Sequence, residues 1–321
     1  MANPIKLLAA CALALFAAAA SAQTYPSRPI TVIVPYPPGG LIDLVARIVQ
    51  PGLQAELGQP VAVENRSGAG GNVGAEAVLR AAPDGYMILV GNPSLALSQH
   101  IYPKLAYKPL QDLLYVGQYG TVPNVLVVNP SLPVKNVPEL IAYVRKNPGR
   151  LNYGSPGLGT SPQMSMELLK AMTNTFIVHI PFRGAGPATA ALFANDTQLM
   201  FDNLPPQVGN IKSGRVRALA VTSLKRSAVF PEVPTLDEMG FKGYEVSSWF
   251  GINVRAGTPA EIVARLNQAL NRTTADSKVR EQLESRGATV IQGTPEQYLA
   301  YVKAESDKWG PVVKRAGIIA D

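Results

Sequence analysis

The chain has 321 residues, of which 47% are hydrophobic and 16% are charged, a balance typical of a globular protein and not of a disordered one. Lysine and arginine outnumber aspartate and glutamate by 29 to 22, but they are scattered along the chain, and the absence of an arginine-rich helix argues against nucleic acid as a partner. A modest positive charge favours the capture of small anions.

The first 22 residues have the pattern of a secretory signal. Lys6 is their only charge, and it is followed by an apolar run, Leu7 to Ala20, that ends in the small residues Ala20-Ser21-Ala22. The run is shorter than the roughly 20 residues of a spanning helix, so we favour cleavage after Ala22 over a membrane anchor. Lipoprotein processing at Cys11 is a further alternative, disfavoured because it would leave an apolar tail.

The mature chain is therefore expected to be exported, and the family resemblance described below implies the periplasm. It would contain no cysteine, which excludes disulfides, thiolate chemistry and cysteine metal sites. No later stretch is long and apolar enough to span a membrane, so no membrane insertion of the mature chain is expected.

Strand and helix patterns alternate in the first part of this chain. Ile30–Val34 is continuous and β-branched, as in a buried strand. Leu41–Leu57 has apolar residues at helical spacing, and Pro51-Gly52 is predicted to kink or split that helix. A strand at 61–63, a helix at 72–81 and a strand at 86–90 follow. This alternation predicts an open, largely parallel sheet.

The alternation then restarts and ends in a helical tail. Strands are predicted at 125–128, 151–153, 176–180, 198–201 and 218–222, and helices at 137–146 and 161–172. In the tail, Thr258 and Thr294 each precede a proline and lie three residues before an acid or amide, which predicts capped helix starts. The sequence thus predicts an α/β protein of two lobes: residues 23–122 plus 247–321 form lobe 1, on which the tail packs, and residues 123–246 form lobe 2, with a ligand cleft between them.

Catalytic and metal-binding patterns are absent from the sequence. The two histidines, His100 and His179, are far apart, and no glycine–X–serine–X–glycine nucleophile elbow occurs. His179 lies in a predicted strand and is interpreted as a packed histidine rather than a base. The glycine-rich segment from Gly68 to Gly74 lacks the third glycine of a dinucleotide fingerprint and the lysine of a phosphate loop. We interpret it as a tight turn, with a ligand loop as the alternative, and predict no catalytic residue, metal or cofactor.

Four turns of one kind follow predicted strands, at residues 35–40, 91–94, 154–161 and 181–186. In open α/β sheets ligands bind at the carboxyl ends of strands, where helix N-termini offer free N–H donors and a partial positive charge. Asn92 lies in the second turn, while Ser94, Ser155 and Thr160 supply hydroxyl donors. Arg183 is the best-placed cation, with a solvated loop arginine as the alternative. Two turns in each unit predict a cleft that holds a small anion from both sides.

These same residues carry a family resemblance that extends over essentially the whole mature chain. The matching segments include residues 34–40 with Asp43, 63–72, 82–86, 123–130, 151–155, 181–184, 200–204 and 245–251. In them the chain resembles the Bug, or TctC, proteins, the extracytoplasmic solute-binding subunits of tripartite tricarboxylate transporters.

The resemblance implies a two-lobed type II periplasmic-binding-protein fold, in which each lobe is a mixed, mostly parallel sheet flanked by helices. It implies a receptor, expected to be a monomer, that closes on a small organic acid such as a carboxylate and delivers it to membrane permease subunits. The residues that it implies as ligand contacts are Tyr36, Pro38, Gly39, Gly40 and Leu41 on one side and Ser155, Gly159, Thr160, Ser161, Arg183 and Gly184 on the other. Asp202 is expected to face the cleft.

Four positions bear on the ligand. Leu41, followed by Ile42, stands where the family usually has a small or polar residue, which predicts a ligand with a hydrocarbon or aromatic body. Gln163 stands where histidine is common, which removes one pH-sensitive contact. Asp43 is retained, and is predicted either to bind a ligand amine or hydroxyl or to favour the first turn of its helix.

Two other functions share these sequence features. An orphan sensor would present the same ligand to a sensor protein instead of a transporter. A periplasmic α/β enzyme would use the same strand ends, but the sequence shows no nucleophile–base pair.

Overall fold

The computed structural model describes residues 25–320, so the predicted export signal and Cys11 lie outside the described residues. Its strands are β1 Ile30–Val34, β2 Val61–Asn65, β3 Met87–Gly91, β4 Leu113–Val128, β5 Asn152–Ser155, β6 Val178–Pro181, β7 Leu199–Asn203, β8 Arg217–Val221, β9 Ser247–Arg255 and β10 Thr289–Val290. Its α-helices are α1 Leu41–Leu57, α2 Asn72–Arg80, α3 Ser94–Ile101, α4 Pro109–Asp112, α5 Val137–Lys146, α6 Ser161–Thr173, α7 Ala185–Ala194, α8 Leu204–Lys212, α9 Ala260–Ala275, α10 Ser277–Glu284 and α11 Pro295–Ala316.

The strands form one curled sheet in the order β2-β1-β3-β9-β4-β7-β5-β6, with β8 and β10 each paired to β4. Strands β1, β2 and β3 are parallel and make up the first strand group. Strands β5, β6 and β7 are also parallel and, with β8, make up the second strand group. The antiparallel strands β4 and β9 lie between the groups. Parallel strands followed by helices are the arrangement that the alternating sequence pattern predicts.

Strand β4 is 16 residues long and belongs to both halves of the sheet. Its first part pairs with β9 up to Pro123, and its last part, from Asn124, pairs with β7 and β8. The sequence predicted only residues 125–128 as a strand. The earlier part contains Gly117 and Gly120, which lie at two register irregularities. Such bulges interrupt the period of two on which strand prediction depends.

Helix α1 runs without a break through Pro51, so the predicted split is wrong. Its buried residues include Val49 and Leu53 on either side of the proline. A β-carbon on Gly52 would lie 2.5 Å from Thr273 Cγ2. Glycine therefore allows α1 and α9 to pack closely, and this contact supports the helix where the proline weakens it.

The helical tail packs against both strand groups. Helices α9 and α10 contribute Leu266, Leu270 and Leu283 to the core over the first group. Helix α11 is shared, because Tyr298 packs in a first-group cluster while Trp309 lies in the cluster of the second group. Thr294 forms the predicted capping box with Gln297 at the start of α11. Thr258 makes no cap, since Pro259 is the N-cap of α9 and the Thr258 hydroxyl donates to the Arg255 carbonyl.

Candidate functional site

A small cavity lies where the carboxyl ends of both strand groups meet, and we call it the inner chamber. Its volume is about 50 Å³. Its walls are Tyr36, Pro37, Gly40, Leu41, Ile42, Asn92, Pro93, Pro156, Thr160, Ser161, Pro162, Gly184, Ala185, Asn203 and Ser248. They come from the turns after β1, β3, β5, β6 and β7, and from β9. The predicted convergence of strand ends therefore exists in the structure.

Five helices begin at the wall of this chamber. Their N-cap residues are Gly40 for α1, Pro93 for α3, Thr160 for α6, Gly184 for α7 and Asn203 for α8. None of these N-cap residues makes a side-chain cap hydrogen bond. The first backbone N–H groups of a helix have no partner within the helix, and they carry a partial positive charge. The inner chamber therefore lies at the positively polarised ends of five helices.

The polar side chains at the inner chamber are held by hydrogen bonds to neighbouring side chains and backbone. The Tyr36 hydroxyl donates to the Gly70 carbonyl at 3.1 Å and to Asn92 Oδ1 at 3.2 Å. Burial raises the pKa of Tyr36 well above its usual value, so the phenol stays neutral and remains a donor. Asn203 Nδ2 donates to Asn124 Oδ1 at 2.6 Å. These bonds fix the orientation of the wall before a ligand arrives.

A second, larger cavity adjoins the first, and we call it the outer chamber. Its volume is about 520 Å³. Its walls are Tyr36, Pro37, Ser67, Gly68, Ala69, Gly70, Gly71, Tyr102, Pro156, Gly157, Leu158, Pro181, Phe182, Arg183 and Gly184. Tyr36, Pro37, Pro156 and Gly184 belong to both chambers. The glycine-rich segment that the sequence left open as a turn or a ligand loop thus lines this cavity.

A serine–histidine pair, which the sequence did not reveal, lies behind the second strand group. Ser155 Oγ is 2.7 Å from His179 Nε2, and the imidazole stacks on the Tyr153 ring. Burial lowers the pKa of His179 to about 4, so the ring is neutral at neutral pH. Ser155 has no exposed surface, and neither residue lines a chamber. Glu167, the nearby acid, bonds the Tyr153 hydroxyl instead of the histidine. The pair therefore lacks the access and the orienting carboxylate of a catalytic triad.

Comparison with known proteins identifies this arrangement. The family model described as "Tripartite tricarboxylate transporter family receptor" (TctC) matches residues 45–318. The chain belongs to the TctC family. The resemblance read from the sequence is confirmed, and its members are periplasmic solute-binding proteins.

Individual TctC relatives are similar over nearly the whole chain. Protein BugT of Bordetella pertussis is 39% identical over 308 residues, which cover 95% of this chain and 94% of BugT. The structure of R. palustris Rpa4515 with adipate has a TM-score of 0.88 and 36% identity, covering 91% of this chain and 98% of that one. MatC from Rhodopseudomonas palustris with bound malate has a TM-score of 0.85 and 35% identity, covering 90% and 100%. The predicted α/β periplasmic-binding-protein fold is confirmed.

Seven of the residues predicted for the site line the inner chamber of this TctC protein: Tyr36, Gly40, Leu41, Asn92, Thr160, Ser161 and Gly184. Arg183 lines the outer chamber. The structure adds wall residues that the sequence analysis did not single out: Pro37, Pro93, Pro156, Pro162, Ala185, Asn203 and Ser248. A proline beside each glycine turn was the available signal for four of them, whereas Ser248, on β9, had none.

The other predicted site residues line neither chamber: Pro38, Gly39, Asp43, Ser94, Ser155, Gly159 and Asp202. In three of them the backbone N–H is already bonded to a nearby side chain. The Gly39 N–H donates to Asp43 Oδ2 at 3.0 Å, and the Gly159 N–H donates to Gln163 Oε1 at 2.9 Å. In the same way the Ser94 N–H donates to Asn92 Oδ1.

Asp43 and Asp202 are both held by hydrogen bonds from neighbouring residues. Burial alone would raise the pKa of Asp43, but hydrogen bonds from Arg47, Asn65 and the Gly39 N–H lower it below its usual value. These contacts match the role at the first turn of the helix. Burial raises the pKa of Asp202 to about 6, against hydrogen bonds from Gln207 and the Asn203 N–H that lower it. Asp202 has no exposed surface, so the structure does not place it facing the cleft.

No metal-binding cluster of histidine, cysteine, aspartate or glutamate occurs between residues 25 and 320. Over the same span, no helix is both long and apolar enough to cross a bilayer.

Proposed function

We propose that this protein is a periplasmic receptor that captures a small organic anion, a carboxylate, between two closing lobes and delivers it to a tripartite tricarboxylate-type membrane transporter. The observation that carries the proposal is the convergence on one chamber of five helix N-termini whose N-cap residues make no side-chain cap hydrogen bond. The carboxylates bound to Rpa4515 and MatC support the same ligand class.

Backbone donors can supply the affinity that a receptor needs. A hydrogen bond to a charged group contributes about 1.5–3 kcal/mol, and a helix N-terminus contributes about 0.3–1 kcal/mol to a nearby anion. Micromolar binding requires about 8 kcal/mol. Four or five amide and hydroxyl donors therefore suffice without a salt bridge, which agrees with the lack of charged residues among the described walls of the inner chamber.

Lobe closure is supported by the way the two strand groups meet. A β-carbon on Gly184 would lie 3.1 Å from Pro37 Cγ, so the turn after β6 touches the turn after β1. Only a closed arrangement engages donors of both groups, and a ligand that binds both therefore stabilises it. We assign residues 23–122 with 247–321 to one lobe and residues 123–246 to the other, joined through β4 and β9. Small-angle scattering should show compaction on ligand binding, and an unchanged radius of gyration would contradict closure.

The sequence supports export of this protein, and the family supports a membrane permease as its partner. The secretory pattern of residues 1–22 supports delivery to the periplasm, and the receptor family supports a membrane permease as the partner. Co-purification from membranes tests this half of the proposal. Recovery of a sensor kinase in place of a permease would replace transport with sensing.

The binding half is tested by titrating a panel of organic acids and neutral isosteres, such as adipate and adipamide. Calorimetry should find an acid that binds, and thermal unfolding should show stabilisation of about 2.7 kcal/mol at 100 times its dissociation constant. The uncharged isosteres should not bind, because they gain little from the helix N-termini. Equal binding of acids and amides would refute anion capture, and a bound acid that contacts only one strand group would refute capture between the two lobes.

A further inference from the structure

The turn between β5 and α6, residues 156–160, contributes walls to both chambers. Pro156 and Thr160 line the inner chamber, while Pro156 and Gly157 line the outer one. Gly157 has a φ of 137° and Gly159 a φ of 73°, and glycine loses more backbone freedom on folding than any other residue. Bonds from neighbouring side chains are therefore needed to hold this turn in one conformation.

Two buried side chains bond the backbone of the turn. The Gly159 N–H donates to Gln163 Oε1 at 2.9 Å. Ser155 Oγ lies 3.3 Å from the Gly157 carbonyl oxygen and 3.3 Å from the Gly157 nitrogen. Ser155 has no exposed surface and Gln163 is 1% exposed, so solvent does not compete for these contacts.

His179, on the neighbouring strand β6, joins these two side chains. Its Nε2 lies 2.7 Å from Ser155 Oγ, and its Nδ1 lies 3.5 Å from Gln163 Nε2. Only the oxygen of the Gln163 amide can accept the Gly159 N–H, so the amide NH₂ group faces Nδ1. Nδ1 must then be the acceptor, and the proton of the neutral ring lies on Nε2 and points at Ser155 Oγ. The Ser155 hydroxyl donates onward to the Gly157 carbonyl. We call Ser155, Gln163 and His179 the support network.

The charged groups that act on His179 bond one another instead of the imidazole. Lys170 Nζ donates to the two Glu167 carboxylate oxygens at 2.8 and 2.9 Å, and the Tyr153 hydroxyl also donates to Glu167. Burial lowers the pKa of His179 to about 4, against Glu167, which raises it, and together with Lys170, which lowers it. The neutral ring suits the network, because a proton on Nδ1 would point a second donor at the Gln163 amide.

We propose that His179 is a positioning residue for ligand binding, because the support network that it completes holds residues 156–160 and the start of α6 in the binding conformation. None of the three network residues lines a chamber, so they act on the ligand only through the turn. The inference rests on the proposed anion capture and adds to it the residues that order one wall of the site before the ligand arrives.

His179→Phe tests this role, because a phenyl ring keeps the stacking on Tyr153 but neither donates nor accepts a hydrogen bond. In the unliganded protein, the amides of Gly157 and Gly159 should exchange hydrogen about tenfold faster, because the turn opens more often. A ligand binds only the fraction of molecules in which the turn is ordered, so calorimetry should find the adipate affinity about tenfold weaker.

Two changes at Gln163 separate the network from simple packing. Gln163→Leu removes the acceptor for the Gly159 N–H and should accelerate exchange as His179→Phe does. Gln163→Glu should restore slow exchange, because one carboxylate oxygen accepts the Gly159 N–H and the other accepts Nδ1–H of a protonated His179. It should also raise the pKa of His179, which an NMR titration of the imidazole measures. Fast exchange in both variants would overturn the assigned role of the Gln163 oxygen.

Tyr153→Phe is the matched control. Tyr153 pairs with His179 in the register of β5 and β6, and its hydroxyl bonds Glu167 and not the turn. The change should lower the free energy of unfolding but leave turn exchange and adipate affinity unaltered. Unchanged exchange in His179→Phe, equal acceleration in Tyr153→Phe, or faster exchange with undiminished adipate affinity would overturn the positioning role. If the unmodified protein bound no acid of a broad panel, anion capture would be refuted, and the binding role with it, while exchange would still report whether the network orders the turn.

Discussion

Helix N-termini at the chamber differ from the side-chain-capped ones elsewhere in the molecule. Helices α5, α10 and α11 start at Asn136, Asp276 and Thr294, whose side chains each accept a backbone N–H of the first turn. None of these three caps lines a chamber. The five N-caps around the inner chamber make no such bond. The first set binds its own first-turn amides through the cap side chain, whereas the N-cap residues of the second set make no such bond; at α3 the neighbouring Asn92 side chain accepts the Ser94 N–H instead.

Residue type alone does not account for this difference. Thr160 and Asn203 are both good capping residues, yet their side chains are engaged elsewhere. The Thr160 hydroxyl donates to the Gly157 carbonyl at 2.8 Å, and Asn203 Nδ2 donates to Asn124 Oδ1. A local contact for Thr160 and a tertiary contact for Asn203 therefore divert two potential caps from their own helices. Omitting a cap costs about 1 kcal/mol of stability, which ligand contacts can offset.

Filling the chamber at one N-terminus should have the largest effect. Gly40 has φ −84° and ψ 176°, which any residue can adopt, and a β-carbon there meets no atom within 4 Å. Gly40→Leu should fold normally but block the ligand, weakening acid binding about a thousandfold, or about 4 kcal/mol, through loss of charge-assisted hydrogen bonds. Calorimetry measures the affinity and urea unfolding the stability.

Gly209→Leu is its control, because Gly209 lies in α8 away from the chamber and also has open space around it. It should bind as the unmodified protein does. Retained binding in Gly40→Leu would show that the amides of α1 do not contact the ligand. The lack of a side-chain cap at this helix would then have no role in ligand binding.

The sequence predicted where the helices start more accurately than it predicted which backbone N–H groups are unbonded there. Gly40 and Gly184, chosen from glycine turns after strands, both line the inner chamber. The amides of Gly39 and Gly159 were also expected there, but each is bound by a side chain four residues later, Asp43 or Gln163. That spacing is visible in the sequence, whereas the rotamer that makes the bond depends on packing.

Errors of one residue have a geometric origin. Successive side chains of a strand point to opposite faces, so Asn203 lines the chamber while Asp202, beside it on β7, is enclosed. The sequence analysis selected this segment of β7 but chose the side chain that points away from the chamber. Ser248 was missed because it lies on β9, a crossing strand without a turn. The first part of β4 gave no strand signal because its bulges interrupt the alternation of side chains.

Two ionisable groups of the second strand group, the buried Asp202 and the half-buried His179, have shifted pKa values, while the acids at the outward caps, Glu139 and Asp276, are exposed. Asp202, just before the N-cap of α8, has a pKa raised to about 6 from 3.8, so its contribution to stability is full below about pH 4 and is lost as pH rises through 6. His179 has a pKa lowered to about 4 from 6.5, so its contribution is full above pH 6.5 and is lost as pH falls through 4. Each shift corresponds to about 3 kcal/mol.

The two effects oppose each other between pH 4 and 6, so the unmodified protein should have a nearly flat stability profile there. Asp202→Asn should unmask the histidine and make the free energy of unfolding rise with pH over this interval. His179→Gln should unmask the carboxyl and make it fall. Urea unfolding at half-unit pH steps measures both slopes. Parallel profiles in all three proteins would show that neither group changes its protonation on folding.

The smallest effect is expected at the outward caps. Thr294→Ala removes the acceptor for the Gln297 N–H and one half of the capping box at α11, and should lower the free energy of unfolding by about 1 kcal/mol. Thr294→Ser keeps the hydroxyl and should lose far less. Neither change should alter acid affinity, because Thr294 lines no chamber. Chemical unfolding and calorimetry on the same samples separate the two quantities. If Thr294→Ala lowered the free energy of acid binding as much as the free energy of unfolding, the start of α11 would contribute to binding as well as to stability. The distinction between helix N-termini capped by their own side chains and those that serve a ligand would then be wrong.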